Sequence, residues 1–207
     1  MILRDILREC YRKFRPIVVK GKNNIILLGK YRHKENFFIT ITGNNNKIII
    51  HDRCRLDNTS IILNGDNNFV EIDENVKFRG PCIIHLEGEA SLKIKSEAGI
   101  RGVTFSLRNA KIEIGRKCMF SYNVLLRNHD SHKVIDLATD SVTNPPCDIV
   151  VGDHVWFAQN GTVLKGVTIG SDSIIAFGSV VTKDCPSNSI IAGNSAKIVK
   201  RGISWDY

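Results

Sequence analysis

No apolar stretch in the 207-residue sequence is long enough to cross a membrane, and no leader-type start follows Met1, because charge interrupts the opening at Arg4, Asp5, Arg8 and Glu9. A cytoplasmic protein is therefore expected. The six cysteines, Cys10, Cys54, Cys82, Cys118, Cys147 and Cys185, include no C-x-x-C pair and no metal-ligand spacing to histidine. This excludes a zinc ribbon and a dense disulfide scaffold, and predicts free thiols and no metal. Acidic residues are in deficit, 21 against 29 basic ones, for a formal charge of +8. The basic residues are scattered and accompany no nucleic-acid motif, so nucleic acid is not an expected partner. Hydrophobic residues make up 43% of the chain, enough for one cored domain of this length.

The start of the chain has helical periodicity. Leu3, Ile6, Leu7, Cys10 and Phe14 form one apolar stripe, flanked by Arg4, Arg8, Arg12, Lys13 and Arg15, and Pro16 ends the pattern. Residues 1–20 are read as an amphipathic helix that caps a repeat domain. Contact with a membrane surface is the less favoured reading of the same stripe.

Beyond this stripe the chain repeats itself. Polar tetrads begin at Gly21, Gly43, Gly65 and Gly88, and a short aliphatic strand comes after each. Glycine and asparagine tolerate positive φ, so the tetrads read as tight turns. Between them runs a six-residue beat, as in Ile50, Leu56, Ile62 and Ile72, Phe78, Ile84, broken once at Ser106. It resumes as Val151, Phe157, Val163, Ile169, Ile175 and Val181. Four residues after each anchor the side chain is small or β-branched, and four of the cysteines occupy this place as small buried apolar residues. A helix needs a period of 3.6 and a simple strand a period of two, so the beat predicts an all-β solenoid of stacked parallel strands over 21–199, with a tail at 200–207. Periodicity leaves the hand of the coil open, because ordinary parallel crossovers are right-handed.

The segments Ile149-Val-Val-Gly-Asp-His-Val-Trp156, Val163-Leu-Lys-Gly-Val-Thr-Ile-Gly170, Gly178-Ser-Val-Val-Thr-Lys-Asp184 and Ile191-Ala-Gly-Asn-Ser-Ala-Lys-Ile198 resemble the hexapeptide-repeat acyltransferases, above all those that O-acetylate capsule and lipopolysaccharide sugars. The resemblance covers about 112–207; the first hundred residues match by period alone. It implies a left-handed parallel β-helix, a homotrimer, acetyl-CoA as donor held between subunits, and a sugar or polysaccharide hydroxyl as acceptor. It also implies a catalytic loop at 129–148, where the repeat is interrupted. Departures are small: Ala158 follows Trp156-Phe157 where glycine is usual, and Ser195 replaces a proline.

The interruption opens Arg127-Asn-His-Asp-Ser-His132, placing two histidines in a loop on a rigid scaffold. Acetyl transfer to a hydroxyl needs a base near neutrality, which imidazole provides. Asp130-Ser131-His132 resembles the family's Asp-x-His signature, which implies His132 as base with Asp130 orienting its ring, in the manner of a Ser-His-Asp triad. His129 is the second candidate. Trp156, Ala158, Thr182 and Lys183 resemble the acetyl-CoA contacts, Lys183 toward the phosphates. Taken singly, Trp156 could cover a coil face and Lys183 could be merely solvated. Cys147, in the same loop, is a less favoured nucleophile. The alternatives are a non-catalytic structural or binding solenoid, and an acetyltransferase acting on an amino-sugar amine or a small-molecule hydroxyl. A γ-class carbonic anhydrase lacks its histidine spacing here.

Overall fold

The computed structural model describes residues 16–206, so the helix and cap expected of the opening stripe lie outside the described residues. Within them are 24 short strands and no helix. The strands stack as three sheets along the sides of a triangular prism: sheet A of eight strands, sheet B of seven and sheet C of nine. As far as Val181, successive strands visit A, B and C in turn, and each pairs in parallel with the strand one coil away. The fold is an all-β parallel solenoid, as the periodicity predicts.

Alternation along each strand builds the core. In Cys82–Glu87, the residues Cys82, Ile84 and Leu86 point inward and are buried, while Ile83, His85 and Glu87 face out. Phe120 and Phe157 stack on consecutive coils with ring centroids 4.4 Å apart, and Phe105 meets Phe120 edge-on at 6.1 Å. The small positions turn inward at the corners, as Cys54, Val76, Ala98, Cys118 and Val155 do in the column beside sheet C. Burial pushes the Cys54 and Cys185 thiols up to about 11 and those of Cys82 and Cys118 up to about 12, and all the described cysteines are free.

The six-residue beat slips twice. On sheet A the inward set is Thr59, Ile61 and Leu63, then Val103, Phe105 and Leu107, so the large core anchor comes at Ile61 after Leu56 and at Phe105 after Ile100, a step of five. Ile62 and Ser106 therefore face outward, as do Ser60 and Thr104. The break at Ser106 is thus a shortened corner, and Ile62 is no core anchor. Where the step is six, between Phe78 and Ile84, the corner holds Arg79-Gly80-Pro81; a Cβ on Gly80 would lie 1.6 Å from the Arg101 carbonyl oxygen of the next coil.

The Gly/Asn tetrads are the turns joining sheets A and B. Gly43 has φ +134°, and a Cβ there would lie 2.0 Å from the Gly65 carbonyl oxygen; Asn23, Asn45 and Asn67 take φ of 56–59°. The fourth residue of each turn forms a ladder. Asn46, fully buried, gives its Nδ2 to Asn24 Oδ1 and to Gly65 O, while its Oδ1 accepts from both nitrogens of Asn68. Side-chain amides thereby satisfy backbone groups that the turn would otherwise bury without partners.

The two ends differ. Lys197–Arg201 turns back antiparallel to Ser189–Ala192 and closes sheet C. At the other end Ile17 and Val19 share the register of the buried Ile39 and Ile41, yet are 39% and 44% exposed. The strand Ile17–Lys20 thus starts within the stretch assigned to the cap.

Candidate active site

The wide interruption lies where expected, between Val124–Arg127 of sheet A and Ile149–Val151 of sheet B. The loop is a hairpin. Ile135 bridges Val142, Asp136 N donates to Ser141 O at 2.9 Å, and Asp136 Oδ1 caps the amides of Ala138 and Thr139. It carries an exposed apolar set, Val134, Ile135, Leu137 and Val142, with Leu137 fully exposed.

At the loop's root the two histidines are in opposite states. His129 is buried; its Nε2 lies 3.0 Å from Ser106 Oγ and its Nδ1 lies 3.1 Å from the Asp130 carbonyl oxygen. Burial holds the His129 pKa below the usual imidazole value, with the Arg108 and Arg127 charges adding to that and the Asp130 contact opposing it. Beside it the Asn128 Nδ2 is buried and takes no hydrogen bond among the described residues, the kind of unmet group that collects at functional sites. His132 is exposed, and its ring takes no hydrogen bond or ion pair among the described residues.

Asp130 does not meet the His132 ring. Its Oδ2 is 2.5 Å from Lys165 Nζ and 2.9 Å from Asn144 Nδ2, and the Lys165 and Asn144 bonds hold its carboxyl below the usual carboxylate range. Asn144 also donates to the His132 carbonyl oxygen at 2.9 Å, and its Oδ1 accepts the Val134 amide at 2.7 Å. Arg127 ties the other arm, donating to His129 O at 2.9 Å and to Ser131 Oγ at 2.7 Å. The loop is therefore pinned at both arms while the His132 ring stays open to solvent.

The remaining candidates fall into two groups. Thr182 and Lys183 are exposed on the same A/B edge as the loop, two coils further along, with Lys165 between. Trp156 is 40% exposed on the outer side of sheet C, the face opposite that edge, and Ala158 is half-buried just beyond it. The tail reaches Trp156: Trp205 stacks on His154 at 4.1 Å, lies 6.1 Å from Trp156, and donates its Nε1–H to the His154 carbonyl at 2.8 Å.

Sequence reading missed Lys165, Asn144, Ser106 and Trp205. Lys165 stood in a segment already singled out, whereas Asn144 lies in a loop without period. A His/carboxylate group, His51, Glu71 and Asp73, also escaped notice, with ligand atoms within 4.8 Å of one another; Glu71 is already shared by His51 at 3.4 Å and Lys93 at 3.6 Å.

A three-sided parallel solenoid, broken once by a histidine-bearing hairpin, defines a hexapeptide-repeat acyltransferase scaffold. No family model matches the chain. It is 36% identical over 94 residues to the polysialic acid O-acetyltransferase of Escherichia coli O1:K1 / APEC, a match spanning 45% of this chain and 31%, less than a third, of that relative. It is 30% identical over 151 residues to the putative lipopolysaccharide biosynthesis O-acetyl transferase WbbJ of Escherichia coli K12, covering 59% of this chain and 77% of that one. The crystal structure of the polySia specific acetyltransferase NeuO superposes with a TM-score of 0.88 at 33% identity, covering 92% of this chain and 88% of that one. The chain belongs to the hexapeptide-repeat O-acetyltransferase family of these relatives.

Proposed function

We propose that the protein transfers an acetyl group from acetyl-CoA to a hydroxyl of a sugar or polysaccharide, acting in the cytoplasm as a homotrimer of left-handed β-helices. The observation that carries this is the pinned hairpin: it offers an unengaged imidazole, His132, on a scaffold that matches a polysialic acid acetyltransferase along nine-tenths of its length. No helix long and apolar enough to cross a membrane occurs among the described residues.

In this reading the acceptor oxygen attacks the thioester carbonyl carbon while His132 takes the hydroxyl proton. The carbon–sulfur bond then breaks, and the departing thiolate receives that proton from the imidazolium, leaving an acetyl ester and free CoA. Direct transfer needs no acyl-enzyme, so Cys147 has no covalent part. Asp130, bound to Lys165 and Asn144, fixes the loop that carries the base. Thr182 and Lys183 would hold the donor, with the Lys183 ammonium on its phosphates. Trp156 and Ala158 would line the donor's acyl end.

Two features support assembly. His132 and Trp156 occupy an edge and the opposite face of one prism, so they share a site only when different copies supply them. The exposed apolar hairpin gives a second copy something to cover. At the N-terminal end, the stripe through Leu3, Ile6, Leu7, Cys10 and Phe14 suits the uncovered Ile17 and Val19, which supports the cap over the membrane contact.

The test is His132→Asn, assayed for release of CoA thiol with a sugar acceptor. Turnover should fall by about 10²–10⁴-fold with acetyl-CoA affinity kept, the loss typical of a missing general base. Near-normal turnover would move the base to His129 or elsewhere.

A further inference from the structure

The strand Lys197–Arg201 closes the last coil of sheet C, yet Trp205 lies against residues of an earlier coil. One corner of the prism sets this path. His154, Asp172 and Asn188 take the same left-handed turn, φ 55–57°, on three successive coils. Ile203 is bound to the last of them, its N–H donating to Asn188 O and its carbonyl accepting from Asn188 Nδ2, both at 3.1 Å. Two residues later Trp205 meets the first, donating Nε1–H to the His154 carbonyl at 2.8 Å and stacking on the imidazole with centroids 4.1 Å apart and planes 9° from parallel. That imidazole is fixed in turn, its Nδ1 lying 2.8 Å from Asp172 Oδ1. The one polar hydrogen of the indole is thus satisfied, and its plane is set by both the ring and the backbone of His154.

What the tail reaches is Trp156. On the outer side of sheet C, Met119, Trp156 and Ile174 are register partners on successive coils, so the places next to Trp156 along the axis are filled. Along its own strand the two sides differ. Toward the corner comes His154 with Trp205 upon it, and on the other side Ala158, which carries only a methyl group. The Trp205 ring lies 6.1 Å from that of Trp156 and is tilted 46° to it, within the range at which aromatic rings attract. An indole 40% exposed on a sheet face has rotamers to lose when a ligand binds, whereas one braced from the corner side has lost part of that freedom beforehand.

We infer that Trp205 is a positioning residue for the donor site: it holds the Trp156 ring in the orientation in which that ring meets acetyl-CoA. The tail is then part of the binding apparatus rather than a loose end, although it comes 49 residues after the side chain it serves. The inference rests on the reading of Trp156 as a donor contact. Because Trp205 acts through Trp156, its contribution disappears when Trp156 is removed.

The experiment titrates acetyl-CoA into the full-length protein and into Trp205→Leu, Trp205→Phe, Trp156→Leu and the double variant Trp156→Leu, Trp205→Leu. Trp205→Leu should weaken binding roughly three- to tenfold, the fold-change equivalent to one aromatic contact, and Trp205→Phe should recover most of it because its ring can still stack. The double variant should bind no more weakly than Trp156→Leu alone, since nothing is left to position. Trp156 and Trp205 are the two tryptophans of the chain, so in either Trp205 variant Trp156 is the sole indole fluorophore. Acrylamide should quench it more steeply in Trp205→Leu than in Trp205→Phe. Unchanged affinity in Trp205→Leu, with Trp156→Leu weakened, would overturn the inference and leave the donor reading of Trp156 standing. So would additive losses in the double variant, because Trp205 would then touch the donor itself, and so would equal quenching in the two Trp205 variants. Normal affinity in Trp156→Leu would instead sink the donor reading of Trp156, and the inference with it.

Discussion

Lys165 Nζ lies 2.5 Å from Asp130 Oδ2, so the carboxylate expected to steady His132 is held instead by the solenoid wall one coil further on. The pair is partly exposed, and by itself it contributes at most about 1 kcal/mol to stability. Its consequence is positional, because Asn144 joins the same oxygen and also holds the His132 carbonyl.

If Asp130 works by fixing the loop, Lys165→Met and Asp130→Ala should each lower turnover, and the double variant should be little worse than either, because one interaction is removed in all three. Melting temperatures should barely move. Turnover that stays normal in Lys165→Met and collapses only in Asp130→Ala would mean that Asp130 acts on the imidazole directly.

His129 makes stability depend on pH. Burial lowers its folded pKa below the unfolded value of about 6.5, so the unfolded chain binds more protons in the window between the two. Its contribution is present above about pH 6.5 and is lost as pH falls through the folded value. Denaturant unfolding from about pH 8 to about pH 5 should show a smaller acid loss in His129→Gln than in wild type. Identical slopes would place His129 in water in the native state.

The Asn24, Asn46 and Asn68 ladder gives a stability test remote from the hairpin. Asn46→Ala leaves the Asn68 amides and Gly65 O short of partners in a buried turn, at a cost of about 1–3 kcal/mol for each unmet group, while Asn24 Oδ1 keeps the backbone N–H of residue 46. Urea midpoints should fall at unchanged slope. A midpoint within error of wild type would mean that water replaces the amide there.

Much of this architecture was legible in the sequence because a solenoid writes its period into the chain. Gly43 and Asn45 announce a turn, and Phe120 and Phe157 announce inward positions, since each coil repeats the same steric demand. Ile62 and Ser106 misled because a corner can lose one residue without losing its strand, and a beat counted in sixes cannot register that slip. The hairpin's place was legible as a gap in the beat, but its internal wiring was not. Asn144 reaches Asp130 across 14 residues with no repeat to mark it, and Lys165 does so from the next coil. Nor does the sequence separate Trp156 from His132; only the three-sided path puts them on opposed parts of one chain.

Whether this solenoid uses acetyl-CoA can be decided without knowledge of the acceptor, by calorimetric titration of acetyl-CoA into the intact protein, its assembly state verified by sedimentation. Saturable binding by a trimer is expected, weakened by Lys183→Ala and preserved in His132→Asn. No binding by an intact trimer at millimolar cofactor would contradict the acetyltransferase reading.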